Sequence, residues 1–320
     1  MLAASAAAVI MLAGCGGAPV TTARHMQPLS ERILSELKTK SMAKESPILV
    51  RLFKEESELE VWKQDDSGRF GLLRTYPICR WSGELGPKIQ QGDRQAPEGF
   101  YTITPSLMNP NSSQYLAINT GFPNAYDRAN GRTGSFLMIH GGCSSAGCYA
   151  MTDDQIAEIY ALARESFFGG QKSFQLQAYP FRMTPLNMAR HRNSPHMAFW
   201  KMIKAGYDHF EVTHLEPKVG VCDKSYVFGA ETTDSFSGGR CPIYTVPEDI
   251  IAAVRDKRRR DEIEATQLII RGIPTAPLTT GTDGGMNRTF LTAVKSEGEP
   301  GAVVRRSPAF VNRRDGDDED

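Results

Sequence analysis

His140-Gly-Gly-Cys-Ser-Ser-Ala-Gly-Cys148 sets an imidazole, two thiols and a turn of small residues within nine positions. A thiolate attacks carbonyl carbon well but needs a partner to take its proton. Histidine is the usual partner, because its pKa lies near neutrality. The attacked carbonyl oxygen needs hydrogen-bond donors as it gains charge, and the backbone N–H groups of Gly147 and Cys148 are candidates for that oxyanion hole. Working outward, Ser135-Phe-Leu-Met-Ile139 is an apolar run of strand type that ends at His140. Downstream, Thr152-Asp-Asp-Gln155 is a capping-box signature, and Ile156, Ile159, Tyr160 and Ala163 follow at helical spacing. The stretch reads as strand, turn, helix, with the thiol just upstream of the helix.

Competing readings of the same residues exist. A buried cysteine is often inert packing. His140, Cys143 and Cys148 are all metal-ligand types, but H-x-x-C-x4-C matches no zinc spacing well and no CxxC or CxxxC pair completes it, so no metal site is expected. A Cys143–Cys148 bond would silence the nucleophile or make the pair a redox switch.

The rest of the chain bounds the answer. Its 320 residues suit one catalytic domain with extensions, or at most two domains. The formal net charge of zero removes the basic excess that a nucleic-acid binder needs. Lys257-Arg-Arg-Arg260 is surrounded by acidic residues and reads as the solvated face of a helix. No phosphate loop, EF-hand loop or nucleotide fingerprint occurs, and no cofactor is expected. Leu2 to Leu12 is apolar and too short to span a bilayer, which suits a signal-peptide core. Leu12-Ala-Gly-Cys15 looks like a bacterial lipobox, with Cys15 the lipidation site and residues 1–15 the signal segment. The expectation is a periplasmic, lipid-anchored protein that touches membrane only through that anchor.

Residues 16–46 read as a linker with a short amphipathic helix on Leu29, Ile33, Leu34 and Leu37. From Pro47 the pattern is strand-like: Ile48–Phe53, Leu59–Lys63, Gly71–Ile78, Phe100–Thr104, Tyr115–Ile118 and Phe136–Ile139. Phe174, Leu176 and Ala178 alternate with polar residues, which predicts a half-buried strand. Past Thr184 the chain turns helical over 185–274. Ser194-Pro195 opens a helix through Lys204 that Gly206 is expected to stop, and Val246–Gln267 reads as a charged helix. Thr275–Asp320, rich in Gly, Pro, Thr and charge, is expected to stay disordered.

Several blocks resemble the YkuD-type L,D-transpeptidases, and within them the YafK-like branch. They are Ile78-Cys-Arg-Trp-Ser-Gly-Glu-Leu-Gly-Pro-Lys88, Gln91-Gly-Asp93, Pro97–Tyr101, Gly121-Phe-Pro-Asn-Ala-Tyr-Asp-Arg128, Met138-Ile-His-Gly141, Gly147–Thr152 and Tyr179-Pro-Phe-Arg-Met-Thr184. The resemblance runs from Pro47 to about Phe228. It implies an α+β fold, mainly β with flanking helices, built on a β-sandwich catalytic domain over 47–184. It implies Cys148 as nucleophile, His140 as base, and peptidoglycan stem peptides as substrate, with a peptidoglycan-linked lipoprotein as a further partner. Many family members carry a second histidine two residues before the cysteine. Here Ala146 stands there, and the YafK-like branch also lacks that histidine, so His140 is the sole local base. The branch is associated with hydrolysis of the acyl-thioester. Crosslinking or lipoprotein attachment is the alternative, and a catalytically silent wall-binding protein is a second one. Arg128 is a candidate for a stem carboxylate and Tyr149 for lining the cleft, with an ion pair and core packing as their respective alternatives. The family-like segments carry Cys79 and Cys143, whereas Cys222 and Cys241 lie at or beyond their end. Cys79–Cys143 and Cys222–Cys241 are therefore the expected disulfides, suited to an oxidising compartment.

Overall fold

Ile48-Leu-Val-Arg-Leu-Phe53 alternates two kinds of surface, and both are buried. In a computed structural model, which describes residues 23–279 and 283–291, this strand (β1) sits at the centre of a five-stranded sheet in the order β3-β2-β1-β10-β5. Its partners are β2 (Glu58–Gln64), β3 (Phe70–Pro77), β5 (Gly99–Ile103) and β10 (Phe174–Tyr179). β1 runs parallel to β10 and antiparallel to β2. A second five-stranded sheet has the order β4-β9-β8-β7-β6 and is made of short pieces: β4 (Arg80–Trp81), β6 (Met108–Asn109), β7 (Ala117–Asn119), β8 (Met138–His140) and β9 (Tyr149–Ala150). The fold is α+β with mixed sheets.

One core joins the two sheets. Ile48, Val50 and Leu52 of β1 share it with Ile118, Ile139 and Tyr149 of the second sheet and with α1 (Glu31–Thr39) and α3 (Asp153–Phe168). α1 is the amphipathic helix expected from the leucine spacing: Ser30 caps its Ile33 N–H, and Ile33 and Leu37 are buried. α3 starts where Thr152 predicts, with both capping-box bonds made to Gln155, and it contacts β1, β7 and β8.

The other face of the first sheet is covered as well. α2 (Ala125–Ala129), α4 (Pro185–Arg190), α5 (Met197–Thr213) and the hairpin β11 (Val219–Cys222)–β12 (Ser225–Phe228) surround a second core containing Phe53, Tyr179, Trp200, Ile203 and Tyr207. β10 is therefore buried along both faces, not half-buried as its alternation suggested. Its polar residues find partners inside: Gln175 donates to Pro217 O (3.0 Å), Gln177 to Gln175 (2.7 Å), and Tyr179 OH to Gln177 (3.0 Å). Buried amides are tolerated on these terms.

Two further expectations are corrected. Gly206 does not end a helix; α5 continues through it to Thr213. A Cβ there would lie 2.4 Å from the Phe100 ring and 2.5 Å from that of Phe228, so the glycine serves close packing of helix on sheet. Part of the stretch beyond Thr275, expected to be disordered, is placed: residues 283–291 lie along β4, with Trp81 bridging Gly285. The charged helix is α6 (Glu248–Ile270), with no buried residue, tied to α5 through Lys204, Asp208, Lys257 and Asp261. No helix among the described residues is long and apolar enough to cross a membrane. The lipobox and Cys15 lie outside the described residues.

Candidate active site

β8 and β9 are parallel neighbours joined by only the 141–148 loop, so the chain must double back sharply. Parallel strands normally need a longer crossover. Here the loop is tied down at several points. Cys143 adopts a left-handed backbone (φ 50°) and forms a disulfide with Cys79, Cα atoms 5.3 Å apart. Gly142 N–H donates to Asp153 Oδ1 at the start of α3 (2.9 Å), Cys143 N–H to Met151 O (3.2 Å), and Met151 N–H to His140 O (2.7 Å). With Cys79 holding Cys143, Cys148 is the free thiol among the described residues, and the pairing that would have silenced it is not the one formed. Cys222–Cys241 is the other bridge, as expected.

The strand register brings the two candidate residues to one face. Ile139 pairs with Tyr149 and His140 with Ala150. One step back along that register, Met138 N–H donates to Cys148 Sγ at 3.4 Å. Ile139 and Tyr149 enter the core, so His140 and Cys148, on alternate positions, face the other way. Tyr149 is thereby corrected as a cleft residue: it is fully buried and its OH donates to Pro97 O (2.6 Å).

Hydrogen bonding fixes the tautomer of His140. Its Nδ1 lies 2.6 Å from Gly141 O, an acceptor, so Nδ1 carries the proton and Nε2 keeps its lone pair. Nε2 has no hydrogen-bond partner among the described residues. Burial holds the imidazole pKa below its usual value, against the opposing pull of Gly141 O. Burial pushes the Cys148 thiol up, partly offset by the Met138 N–H and the charge of Lys88. Both groups are therefore neutral near pH 7. Cys148 Sγ donates to Phe136 O at 3.7 Å and makes no hydrogen bond to His140. Phe136, whose carbonyl takes the thiol, has a left-handed φ of 56° and a side chain that is 74% exposed. The sequence showed it only as a strand residue.

Two serines organise the turn. Ser145 Oγ accepts from Cys148 N–H (3.1 Å) and donates to Cys148 O (2.7 Å). Its hydrogen being spent, the 3.0 Å contact with fully buried Ser82 has Ser82 as donor. Ser82 Oγ in turn accepts from Gly147 N–H. The two donors assigned to the oxyanion hole are thus occupied by hydroxyls in this state. Ser82 was legible only as part of a family-like block.

Arg128 is exposed on α2 with its guanidinium on Pro123 O. Its neighbour Asp127 is buried and pairs with Arg132 at 3.0 Å, besides closing the capping box with Asn124. Behind the Glu84–Glu98 loop, Lys54 and Glu98 form a fully buried pair (3.0 Å), and Glu98 also takes the Trp200 indole N–H (2.9 Å). A cavity of about 340 Å³ lies against that loop, lined by Ile89, Gln90, Asp93, Gln95 and His196 among others. A larger one, about 530 Å³, lies between β12, α5 and α6 and touches neither Cys148 nor His140.

A mixed-sheet fold presenting a free cysteine beside a histidine at a strand end defines a class, and comparison identifies it. Residues 54–168 match the YkuD family, the L,D-transpeptidase catalytic domain. The chain belongs to this family, whose members act on peptidoglycan. Over 182 residues it is 48% identical to YafK of Escherichia coli K12, itself a candidate L,D-transpeptidase, covering 57% of this chain and 74% of that one. The YafK of Escherichia coli O157:H7 matches equally. Among solved structures it is similar to a variant of the helical cell shape determining protein Pgp2 of Campylobacter jejuni, at 24% identity and a TM-score of 0.34. That likeness covers 50% of this chain and 56% of the other, so the chain spans just over half of that structure. Bd1075 of Bdellovibrio bacteriovorus follows at 20% identity and a TM-score of 0.31, over 42% of this chain and 49% of that one.

Proposed function

We propose that this protein transfers acyl groups of peptidoglycan stem peptides through a thioester on Cys148, with water as the principal acceptor. The observation that carries it is a free, partly exposed thiol on the same sheet face as an imidazole whose Nε2 is unprotonated and, among the described residues, unpartnered. For attack, Sγ exchanges Phe136 O for His140 Nε2. His140 takes the thiol proton as sulfur bonds to the stem carbonyl carbon, then delivers it to the leaving amine as the C–N bond breaks. Water next attacks the thioester carbon and gives its proton to His140; the C–S bond breaks, His140 returns the proton to the Cys148 sulfur, and the stem leaves as a carboxylic acid. Apo sites commonly hold the nucleophile and base further apart than the reacting complex does. Gly147 and Cys148 N–H groups serve the oxyanion, each sharing its hydrogen between the carbonyl oxygen and the serine hydroxyl that orients it.

Water as acceptor is the outcome the resemblance to the YafK-like branch implies, and the name of the relative itself describes the transfer outcome. Incubating the protein with purified sacculi and weighing the released fragments separates the two. Hydrolysis gives stems trimmed with the gain of one water. New stem-to-stem links would show that an amine is the acceptor. Arg128 is proposed to meet a stem carboxylate. Anchoring through Cys15 on the periplasmic side of the envelope completes the reading, and the two disulfides support an oxidising compartment.

A further inference from the structure

The nucleophile turn is braced from a place far along the chain. Trp81 of β4 pairs with Tyr149 of β9 on one side. On its other side, Trp81 N–H donates to Gly285 O (3.0 Å) and Gly285 N–H to Trp81 O (3.1 Å). Gly284 N–H donates to Gly83 O (2.7 Å), and Gly83 N–H donates to Asp283 Oδ1 (2.9 Å). Asp283 also pairs with Arg94 (2.5 Å), and these contacts hold its carboxyl below the usual range. Asn287 N–H reaches Ile78 O (3.1 Å), while its amide donates to Glu56 O and Ser57 O. Phe290 and Met286 cover the Cys79–Cys143 disulfide. Ser82, the residue between the two clamped positions Trp81 and Gly83, is the one that accepts from Gly147 N–H and donates to Ser145.

We propose that segment Asp283–Phe290 is a positioning strap for the nucleophile turn, acting through Ser82. This rests on the reading of Cys148 as nucleophile. The strap closes the open edge of β4 as an added strand and keeps the Ser82 hydroxyl under Gly147 and Ser145. Its close approach depends on glycine. A Cβ at Gly284 would lie 1.7 Å from Trp81 O, at a φ of +79°, and one at Gly285 would lie 2.6 Å from the Trp81 indole. Any side chain at 284 lifts the strap off the sheet. The strap touches no reacting atom, so it acts on the rate of the chemical step and not on whether the thiol is reachable.

The test uses the full chain with a carbapenem as acyl donor mimic and iodoacetamide as a reagent that needs only an exposed thiol, with modification at Cys148 read by peptide mass. Gly284→Val and Ser82→Ala each slow carbapenem acylation roughly ten- to a hundredfold, the scale of a small misplacement of reacting groups. Alkylation stays within about twofold of wild type, since reagent access is unchanged. The double variant is no slower than the slower single one, because both act on the same hydroxyl. Asp283→Ala, at an exposed ion pair, gives a smaller loss in the same direction. Wild-type acylation by Gly284→Val, or additive losses in the double variant, overturns the strap. If the wild-type protein never acylates, the thioester reading fails by itself. Amide exchange then judges the strap: Gly147 and Cys148 exchange faster in Gly284→Val if it positions them, and at the wild-type rate if it does not.

Discussion

His140 illustrates how one backbone oxygen sets chemistry. Gly141 O claims Nδ1–H, which leaves Nε2 as the only basic site on the ring. With the imidazole pKa lowered and the thiol pKa raised by burial, no thiolate–imidazolium pair stands ready at neutral pH. The proton moves during attack. Protonating His140 removes the base, so kcat/KM is expected to fall only as pH drops below the ordinary histidine value of about 6.5, and to stay level from about pH 7 to 8.5. Iodoacetamide alkylation of Cys148, slow at neutral pH, is expected to keep rising about tenfold per pH unit through the ordinary thiol value of about 8.5 without levelling off there. Rapid alkylation at pH 6 would reveal a preformed ion pair and contradict this assignment. Replacing His140 with Ala is expected to cost about 10² to 10⁴-fold in rate, measured against sacculi. An unchanged rate would remove it as base.

Elements were legible in proportion to how local their causes are. The capping box at Thr152, the leucine spacing of α1 and the β-rich run from Pro47 are written in neighbouring residues, and each yields the element expected. β10 and Gly206 were misread because their environment comes from elsewhere. Nothing near Gln175 shows that Pro217 will accept its amide, and nothing near Gly206 shows that the Phe100 ring will press on it. The β11–β12 hairpin went unread for a similar reason, since its Asp223-Lys224 turn uses left-handed residues without glycine. Gly206→Ala separates the two readings of that glycine. Helix propensity alone favours alanine by about 1 kcal/mol. Overpacking against Phe100 and Phe228 costs about 1 to 3 kcal/mol, so urea unfolding is expected to show net destabilisation. A stabilised variant would contradict the close contact.

At the scale of the whole molecule, the two five-stranded sheets and the core between them converge on a site assembled from distant segments. Its histidine and cysteine were readable because they fall within one short motif. Ser82, Phe136 and the 283–290 strap were not, since only the folded chain brings them to residues 140–148. Covalent links reinforce this arrangement. The Cys79–Cys143 bridge spans a sequence separation of 64 and Cys222–Cys241 one of 19. Chain-entropy reasoning assigns them about 4 and about 3 kcal/mol. Urea unfolding with and without reductant is expected to show a clear drop in midpoint on reduction, and an unchanged midpoint would mean the bridges contribute little.

The most direct test of the account is the mass of the protein after exposure to a carbapenem. One adduct mass, located on the peptide containing Cys148 and lost in Cys148→Ser, is the result expected. A protein that stays unmodified, or carries the adduct at another residue, would contradict Cys148 as the acyl carrier.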